Sequence, residues 1–339
     1  MLKDTMTQHT LTEKSLSFMS NSVHKIILEL QTLLEKAVKK NLAQGILLSG
    51  GLDTSILAVV ASKFVSLKAF TVALQGAPAP DVKYATLMAN RLKLKHLVHY
   101  FGEDELYDGI KKVVKTLKSF DPMEIRNSAA VSVGLKMAKE NGVNTVMTGD
   151  GCDELFAGYS FFFNLEKELL DLELRKMWRV MSFSSVQLAK AIGVEAKLPF
   201  LDADFKAFAM KLDSQYKVWS EKRQLVGKWI IRKAYEDFLP KEIVWRIKVP
   251  IEQGSGTTTL PSRFSQKISD AEFREKKSKY FDEDKVTIRD KEQLFYYEIY
   301  RSALGVPRPT DPEGRRCPQC NSNVAEKSTF CRTCGAYPI

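Results

Sequence analysis

Short apolar stretches alternate with longer amphipathic stretches along the amino-terminal part of the chain. Each apolar stretch has the composition of a buried strand, and each amphipathic stretch repeats its apolar residues at helical spacing. Strands are predicted at Ile46–Leu48, Leu67–Leu74, Lys95–Tyr100 and Thr145–Thr148. Helices are predicted at His24–Leu42, from Asp53 onward, and at Asp81–Leu92, Glu103–Lys118 and Asn127–Glu140. Strands that alternate with helices form a parallel sheet covered by helices on both faces, so the predicted fold class is α/β.

The carboxyl-terminal part of the chain follows a different pattern. The small and polar stretch 251–262 is expected to be a mobile loop, the charged stretch Ala271–Gln293 a solvated helix, and the apolar stretch Leu294–Leu304 a helix that closes the domain. Prolines and glycines in 305–316 predict a linker. The chain is therefore expected to consist of a polar arm at 1–22, a main domain at 23–304, the linker and a small unit at 317–339.

Composition limits the class of protein. A chain of 339 residues with 44% hydrophobic residues can bury one sizeable core and one smaller unit. No apolar run reaches the ~18 residues of a membrane span, and the first residues lack the apolar centre of a signal peptide, so we expect a cytoplasmic protein without membrane contact. The net charge of +10 favours polyanionic ligands, such as ATP or nucleic acid.

The first candidate site is the segment GILLSGGLDTS at Gly45–Ser55. A buried strand ends there in Ser49, Gly50 and Gly51, small residues that permit a tight turn, and Asp53 is expected to cap the following helix. The amino terminus of a helix presents free N–H groups and a positive dipole end, so this segment predicts a phosphate site. It lacks the Gly-Lys-Ser/Thr ending of a Walker loop, which argues against transfer of a γ-phosphoryl group. An ordinary strand-to-helix turn is the alternative.

The second candidate site is the segment VMTGDGCDELFAGY at Val146–Tyr159. It carries three acidic residues, Asp150, Asp153 and Glu154, and its glycines predict that a loop rather than a helix holds them. Carboxylates this close repel one another unless a cation or a basic ligand compensates, so magnesium together with phosphate is expected here. Asp150 is alternatively a candidate general base. Acidic turn residues that merely solvate a loop are the alternative without a function.

The last 23 residues carry a metal-binding pattern. Cys317, Cys320, Cys331 and Cys334 form two CxxC pairs, which can bring four thiolates within tetrahedral reach of Zn²⁺. So short a segment cannot fold on hydrophobic burial alone, which favours a structural zinc ribbon. Disulfides are the alternative, and a cytoplasmic setting disfavours them.

Four segments, in collinear order, resemble the synthetase domain of the asparagine synthetase family. They are SGGLDT in the first candidate site, TGDGCDELFAGY in the second, GVEAKLPFLD at Gly193–Asp202 and the segment Lys228–Pro250. The resemblance covers roughly Leu42–Gly256 and implies the fold of PP-loop ATP pyrophosphatases, which are similar to adenine nucleotide α-hydrolases. It implies that ATP and magnesium adenylate the side chain of aspartate, and that ammonia then converts the adenylate to asparagine.

The resemblance also implies a role for each matching residue. Pyrophosphate would be bound by Ser49, Gly50, Gly51, Asp53, Thr54 and Ser55, and magnesium by Asp53 and Asp153. ATP would further contact Leu47, Val72, Thr148 and Gly149. The catalytic residues would be Asp150, which accepts a proton from ammonia, Lys248, which stabilises charge at the α-phosphate, and Arg126, near aspartate and the triphosphate. Glu195 and Asp202 would shape the substrate pocket.

Two features depart from the family. The family often has glutamate where Asp150 stands, and aspartate is one methylene shorter. Glutamine-using members carry a glutaminase domain whose nucleophilic cysteine follows the initiator methionine, whereas Leu2 stands there in this chain. About 45 residues precede the glycine turn, too few for such a domain. We therefore expect free ammonia, or ammonia from a separate glutaminase, to supply nitrogen.

Other functions stay open at this point. The zinc ribbon and the basic charge are compatible with an enzyme that modifies tRNA, for example by thiolation, although only Cys152 lies outside the ribbon. The acceptor carboxylate could differ from aspartate, because ATP-binding motifs do not define it. A non-catalytic adaptor that retains the fold is a third alternative. The ribbon itself could bind a protein or RNA partner.

Overall fold

A computed structural model describes residues 13–221 and 224–339. Within these residues, five parallel strands form one sheet in the order β3-β2-β1-β4-β5. The strands are β1 Gly45–Leu47, β2 Lys68–Leu74, β3 Lys95–Phe101, β4 Thr145–Met147 and β5 Glu195–Lys197. In the register, Gly45 pairs with Lys68 of β2 and with Val146 of β4. The predicted α/β class is confirmed, with β5 as a strand that the sequence did not predict.

Helices follow the strands and continue to the end of the main domain. They are α1 Glu13–Lys40, α2 Leu52–Ala61, α3 Asp81–Leu92, α4 Glu103–Leu117, α5 Pro122–Glu140, α6 Cys152–Leu155, α7 Lys167–Val180, α8 Ser184–Ile192, α9 Ala203–Lys211, α10 Trp229–Tyr235, α11 Lys241–Val244, α12 Ile251–Ser255, α13 Leu260–Lys267, α14 Asp270–Asp284 and α15 Lys291–Leu304. Single 3-10 turns occur at Ser160–Phe162, Pro199–Leu201, Ser214–Tyr216 and Thr257–Thr259. A hairpin of β6 Val218–Glu221 and β7 Gln224–Gly227 precedes α10. No helix within the described ranges is long and apolar enough to cross a bilayer.

Side chains that alternate along the strands fill two separate hydrophobic clusters. Ile46 and Leu48 belong to the cluster with α1, α2 and α10, whereas Leu47 between them packs into the cluster with α4, α5 and α15. In β4, Val146 and Met147 divide in the same way. Successive residues of a strand point to opposite faces, so the sheet is covered on both sides, as predicted.

Three predicted segments differ from the structure. The predicted polar arm 1–22 lies partly outside the described residues, and its described part is helical from Glu13. The stretch 251–262, predicted as a mobile loop, instead forms α12, a 3-10 turn and the start of α13, because Ser255, Thr257 and Leu260 are buried. The single helix predicted at Ala271–Gln293 breaks after Asp284, where Lys285 adopts a left-handed conformation with φ of 58°.

The small terminal unit packs onto the main domain. Residues 305–316 contain neither helix nor strand apart from an isolated bridge between Arg316 and Asn323. The four ribbon cysteines are buried in the same cluster as Phe120 and Tyr297 of the main domain. The backbone N–H of Phe120 donates to the carbonyl of Thr333 at 2.7 Å.

Candidate active site

The carboxyl ends of β1, β2 and β4 open into a cavity of about 360 Å³. Ligands of open parallel sheets bind at this edge, because the loops that follow the strands meet there. Most of the residues proposed from the sequence lie together on its wall: Leu47, Ser49, Gly51, Asp53, Thr54, Val72, Thr148, Gly149, Asp150, Asp153 and Lys248. The two candidate segments therefore form one site.

The glycine turn after β1 needs glycine at its centre. Gly50 has a left-handed φ of 66°, and a Cβ there would lie 2.3 Å from the backbone nitrogen of Ala85. The next residue, Gly51, caps α2 without a side-chain hydrogen bond. The backbone N–H groups in the first turn of α2 are thereby left for a ligand. The prediction that Asp53 caps this helix is wrong, because Asp53 lies inside the first turn and its carboxylate binds a lysine.

That lysine, Lys228, was not recognised as a site residue from the sequence. Its ammonium lies 2.7 Å from Asp53 Oδ2 and 2.7 Å from Asp153 Oδ1, and only 4% of its side chain is exposed. Burial alone would lower the pKa of Lys228, but the two carboxylates raise it well above its usual range. The lysine therefore stays charged and neutralises two acids in the floor of the cavity.

Lys248 approaches the same acidic residue from the open side. Its ammonium donates to Asp153 Oδ2 at 2.8 Å and lies 5.8 Å from the ring centre of Tyr159. Burial raises the pKa of Asp153, but the charges of Lys228 and Lys248 outweigh it and hold the pKa below its usual range. Because a third of the Lys248 side chain is exposed, this ammonium is available to an anionic ligand.

Asp150 has a different environment. Its Oδ2 accepts a hydrogen bond from Thr148 Oγ1 at 2.8 Å and another from Ser185 Oγ. Burial raises the pKa of Asp150, and the two hydroxyl donors partly oppose that shift. Ser185, at the start of α8, is 35 residues away along the chain and was missed from the sequence.

The three neighbouring acids of the second segment turn to different partners. Asp150 turns to the two hydroxyls, Asp153 to the two lysines, and Glu154 accepts a bond from Tyr159 Oη at 2.6 Å. The prediction of a loop is wrong for Asp153 and Glu154, which lie in the short helix α6, whereas Asp150 precedes that helix. Across the described residues, no three carboxylates bring their oxygen atoms within 4.8 Å of one another.

A second buried ion pair holds the glycine turn from outside. Arg246 Nη2 lies 2.7 Å from Asp81 Oδ1, and Arg246 Nη1 donates to the carbonyl of Ser49 at 3.4 Å. The guanidinium stacks 4.0 Å above the ring centre of Tyr84. Burial raises the pKa of Asp81, and the guanidinium opposes the shift. Neither Arg246 nor Asp81 was proposed from the sequence, because the turn and its support lie far apart along the chain.

Several predicted residues do not reach the cavity wall. Gly50 at the centre of the turn and Ser55 in α2 do not line the cavity, and the Ser55 hydroxyl is buried with no hydrogen-bond partner in the described structure. Arg126 lies behind the wall, where its Nη1 is 2.7 Å from Glu292 Oε2 and its Nε binds Glu252. Its neighbours Glu124 and Asn127 line the cavity instead.

The two residues proposed for the substrate pocket lie elsewhere. Glu195 is the first residue of β5, so it lies at the amino ends of the strands, away from the carboxyl ends that open into the cavity. Its carboxylate pairs with Lys197 Nζ at 2.7 Å. Asp202 caps α9 by accepting from Asp204 N at 3.3 Å and also pairs with Lys40. Their positions give both residues structural contacts and do not support a role in binding substrate.

The four ribbon cysteines converge on one point. Their sulfur atoms lie within 4.8 Å of one another, with 3.6 Å between Cys317 and Cys334 and 3.7 Å between Cys320 and Cys331. A disulfide would need about 2.05 Å. Four sulfurs at the Zn–S distance of about 2.3 Å, arranged tetrahedrally, would be about 3.8 Å apart. The geometry therefore fits zinc and not disulfides.

Comparisons with known proteins agree with the site. The model of the asparagine synthase family matches residues 29–182 and 167–293. Asparagine synthetase B [glutamine-hydrolyzing] of Escherichia coli (strain K12) is 31% identical over 306 residues, which cover 82% of this chain and 54% of that protein. Asparagine synthetase [glutamine-hydrolyzing] of Zea mays is 34% identical over 251 residues, covering 67% of this chain and 42% of that protein. This chain thus spans about half the length of the curated relatives it matches.

Among solved structures, an NMN synthetase from Francisella tularensis is similar with a TM-score of 0.37 and 12% identity, over 83% of this chain and 93% of that one. The family match covers most of the chain and includes both segments that line the cavity. The chain belongs to the asparagine synthase family.

Proposed function

We propose that this chain is an AMP-forming, ATP-dependent amide ligase that converts aspartate and ammonia to asparagine. A β-carboxylate oxygen of aspartate attacks the α-phosphorus of ATP, and the bond to pyrophosphate breaks. Ammonia then attacks the carbonyl carbon of the aspartyl adenylate, and the bond to AMP breaks. The observation that best supports this function is the joint cavity of the glycine turn, Lys228, Lys248 and Asp150, in a chain of the asparagine synthase family.

The glycine turn would bind the pyrophosphate leaving group. Backbone N–H groups of the first turn of α2 and the hydroxyls of Ser49 and Thr54 are donors suited to phosphate oxygens. Lys248 is exposed enough to contact the phosphates and would stabilise negative charge that develops there. Lys228 is fully engaged with two carboxylates, so its role would be to hold the floor of the site.

Magnesium would enter with ATP. Asp53 and Asp153 offer the oxygen ligands that this cation prefers, but both are already paired with Lys228, so the phosphates must supply part of its coordination. When bound, the ion would neutralise charge on the departing pyrophosphate.

Asp150 would accept the proton that ammonia loses in the second step. Its raised pKa improves its basicity relative to an ordinary aspartate, and two hydroxyl donors fix the orientation of the carboxylate. Its position on the wall supports this role despite the shorter side chain.

The test is turnover with labelled substrate. Purified protein is incubated with ATP, magnesium, ammonium and aspartate carrying ¹⁸O in the β-carboxylate. We expect asparagine, pyrophosphate and AMP with one ¹⁸O, since the attacking oxygen stays with AMP. ADP as product, or AMP without the label, would contradict adenylation.

Further reactions distinguish the alternatives. Glutamine replaces ammonium in one reaction, and addition of a separate glutaminase should then restore activity if ammonia is the nucleophile. Glutamate and other small acids replace aspartate in a second set, to detect a different acceptor. The tRNA thiolation alternative has little support, because Cys152 is buried and burial raises its thiol pKa well above the usual range. Binding of ATP without any turnover would favour the adaptor.

The ribbon cysteines would bind one Zn²⁺ as a structural ion. The sulfur distances support this assignment, and zinc content measured on the purified chain tests it. A double variant, Cys317→Ser with Cys334→Ser, is expected to lose the ion. A protein or RNA partner on the outer face of the ribbon is a separate prediction, tested by whether the purified chain retains RNA.

A further inference from the structure

We propose that the metal-loaded ribbon is a positioning element of the active site: it holds the start of α5 and the start of α15, and so couples zinc occupancy to substrate binding. The inference rests on the zinc site proposed above. It follows from contacts between the second knuckle, residues 331–335, and the two helix starts.

The first set of contacts is with the elbow between α4 and α5. Ser119 Oγ donates to the carbonyl of Arg332 at 2.8 Å, and Phe120 N donates to Thr333 at 2.7 Å. Asp121 caps α5 by accepting from Met123 N at 3.2 Å. A Cβ on Gly335 would lie 2.2 Å from Asp121 Oδ1, so the knuckle backbone lies directly against this cap. A tight turn with φ of 74° at Gly335 makes that approach possible.

The second set of contacts is with the start of α15. The carbonyl of Cys334 accepts from Gln293 Nε2 and from Arg289 Nη2, both at 2.8 Å. Gln293 is fully buried, and its neighbour Glu292 forms the ion pair with Arg126 on α5. One zinc-ligand residue therefore anchors the helix whose carboxylate holds the guanidinium behind the cavity.

Helix α5 lines the cavity directly, and the start of α15 is linked to it through the ion pair of Glu292 with Arg126. Along α5, Glu124 and Asn127 line the cavity, followed by Ala130, Val131 and Gly134 on the side of Leu47 and Val72. Arg126 also binds Glu252 of α12, and the neighbouring Ile251 lines the cavity as well. The glycine turn, Lys228 and Lys248 belong to other elements. Loss of zinc is thus expected to disturb the part of the cavity wall formed by α5 and α12, and to leave the glycine turn in place.

The direct test separates the contact from the metal. Gln293→Met removes the donor to Cys334, together with the Oε1 that accepts from Arg289 N, at nearly constant volume, and keeps all four thiolates. The matched control is Gln319→Met in the ribbon, where the amide oxygen is buried without a partner. We expect both variants to retain one zinc, and only Gln293→Met to raise the KM for the acid, by about fivefold or more, with kcat nearly unchanged. Equal kinetics in both variants would overturn the coupling.

Two further measurements do not depend on turnover. On removal of zinc from the full chain, amide exchange is expected to accelerate in peptides from 119–128 and 286–293, and not in 45–60. By reciprocity, saturating ATP with aspartate should raise the equilibrium affinity for zinc, measured in competition with a chelator, by the same factor by which zinc raises the affinity for the acid. Unchanged exchange at both helix starts would refute the inference. Accelerated exchange in a chain that makes no asparagine would instead retain the coupling and reject the proposed reaction.

Discussion

Removal of the Lys228 ammonium is the sharpest test of how the cavity floor is held together. Lys228→Met keeps the Cβ and nearly the length of the side chain, so the left-handed backbone at this position, with φ of 59°, is not further strained. Two carboxylates, Asp53 and Asp153, lose a partner at 2.7 Å in a place that water hardly reaches. Breaking a buried ion pair on one side costs about 3–5 kcal/mol, because the remaining charge stays buried without compensation.

The assay is urea unfolding followed by circular dichroism. Lys248→Met is the matched control: it removes the same group from a side chain that is one-third exposed and makes one contact with Asp153, so we expect a loss of about 1 kcal/mol or less. Adding Asp53→Asn to Lys228→Met should recover part of the lost stability, since one uncompensated charge is gone. A loss below about 1 kcal/mol for Lys228→Met would refute the reasoning.

Three further predictions follow from the same geometry. Asp150→Asn should leave pyrophosphate exchange intact while asparagine formation falls by about 10²–10⁴-fold. Ser185→Ala removes a hydrogen bond that lowers the pKa of Asp150, so the acidic limb of the pH–rate profile should move to higher pH. An unchanged profile would count against Asp150 as the base. Gly50→Ala should abolish ATP binding in a calorimetric titration, because the added Cβ would clash with the backbone of Ala85. Gly76→Ala, also at positive φ but with open space around it, should keep ATP binding and lose only about 1 kcal/mol of stability. Similar losses of ATP binding in both variants would argue against the clash. Burial raises the pKa of Glu292 from 4.5 to about 7, so the folded state binds more protons than the unfolded state and the free energy of unfolding should fall as pH rises from about 4.5 to 7. Glu292→Gln should flatten this dependence of the unfolding free energy on pH. An unaltered slope in the variant would contradict the raised pKa of Glu292.

Features that depend on neighbouring residues were predictable from the sequence. Strand Lys68–Leu74 and helix Asp81–Leu92 follow from local apolar spacing, and their observed bounds match the prediction closely. The turn at Gly50 is similarly local, because only glycine tolerates its backbone conformation. The cysteine pairs needed only their spacing to indicate a metal site.

Local sequence pattern gave wrong predictions where contacts with distant residues order or bury a segment. The stretch 251–262 is small and polar, and yet it is ordered because Thr257 Oγ1 donates to the carbonyl of Arg126, 131 residues away. Glu195 and Asp202 belong to a segment that matches the family, but the strand direction puts Glu195 at the amino end of β5, away from the cavity.

The sequence by itself determined the α/β class, the glycine turn, the two candidate segments and the thiolate set, since each is encoded within one short stretch. Tertiary structure alone decided how the charges pair: Lys228 meets Asp53 across 175 residues, and Arg246 meets Asp81 across 165. It also decided that the ribbon lies against the start of α5. Such pairings depend on which elements pack side by side, and a buried charge finds its partner in space, where sequence separation carries no information.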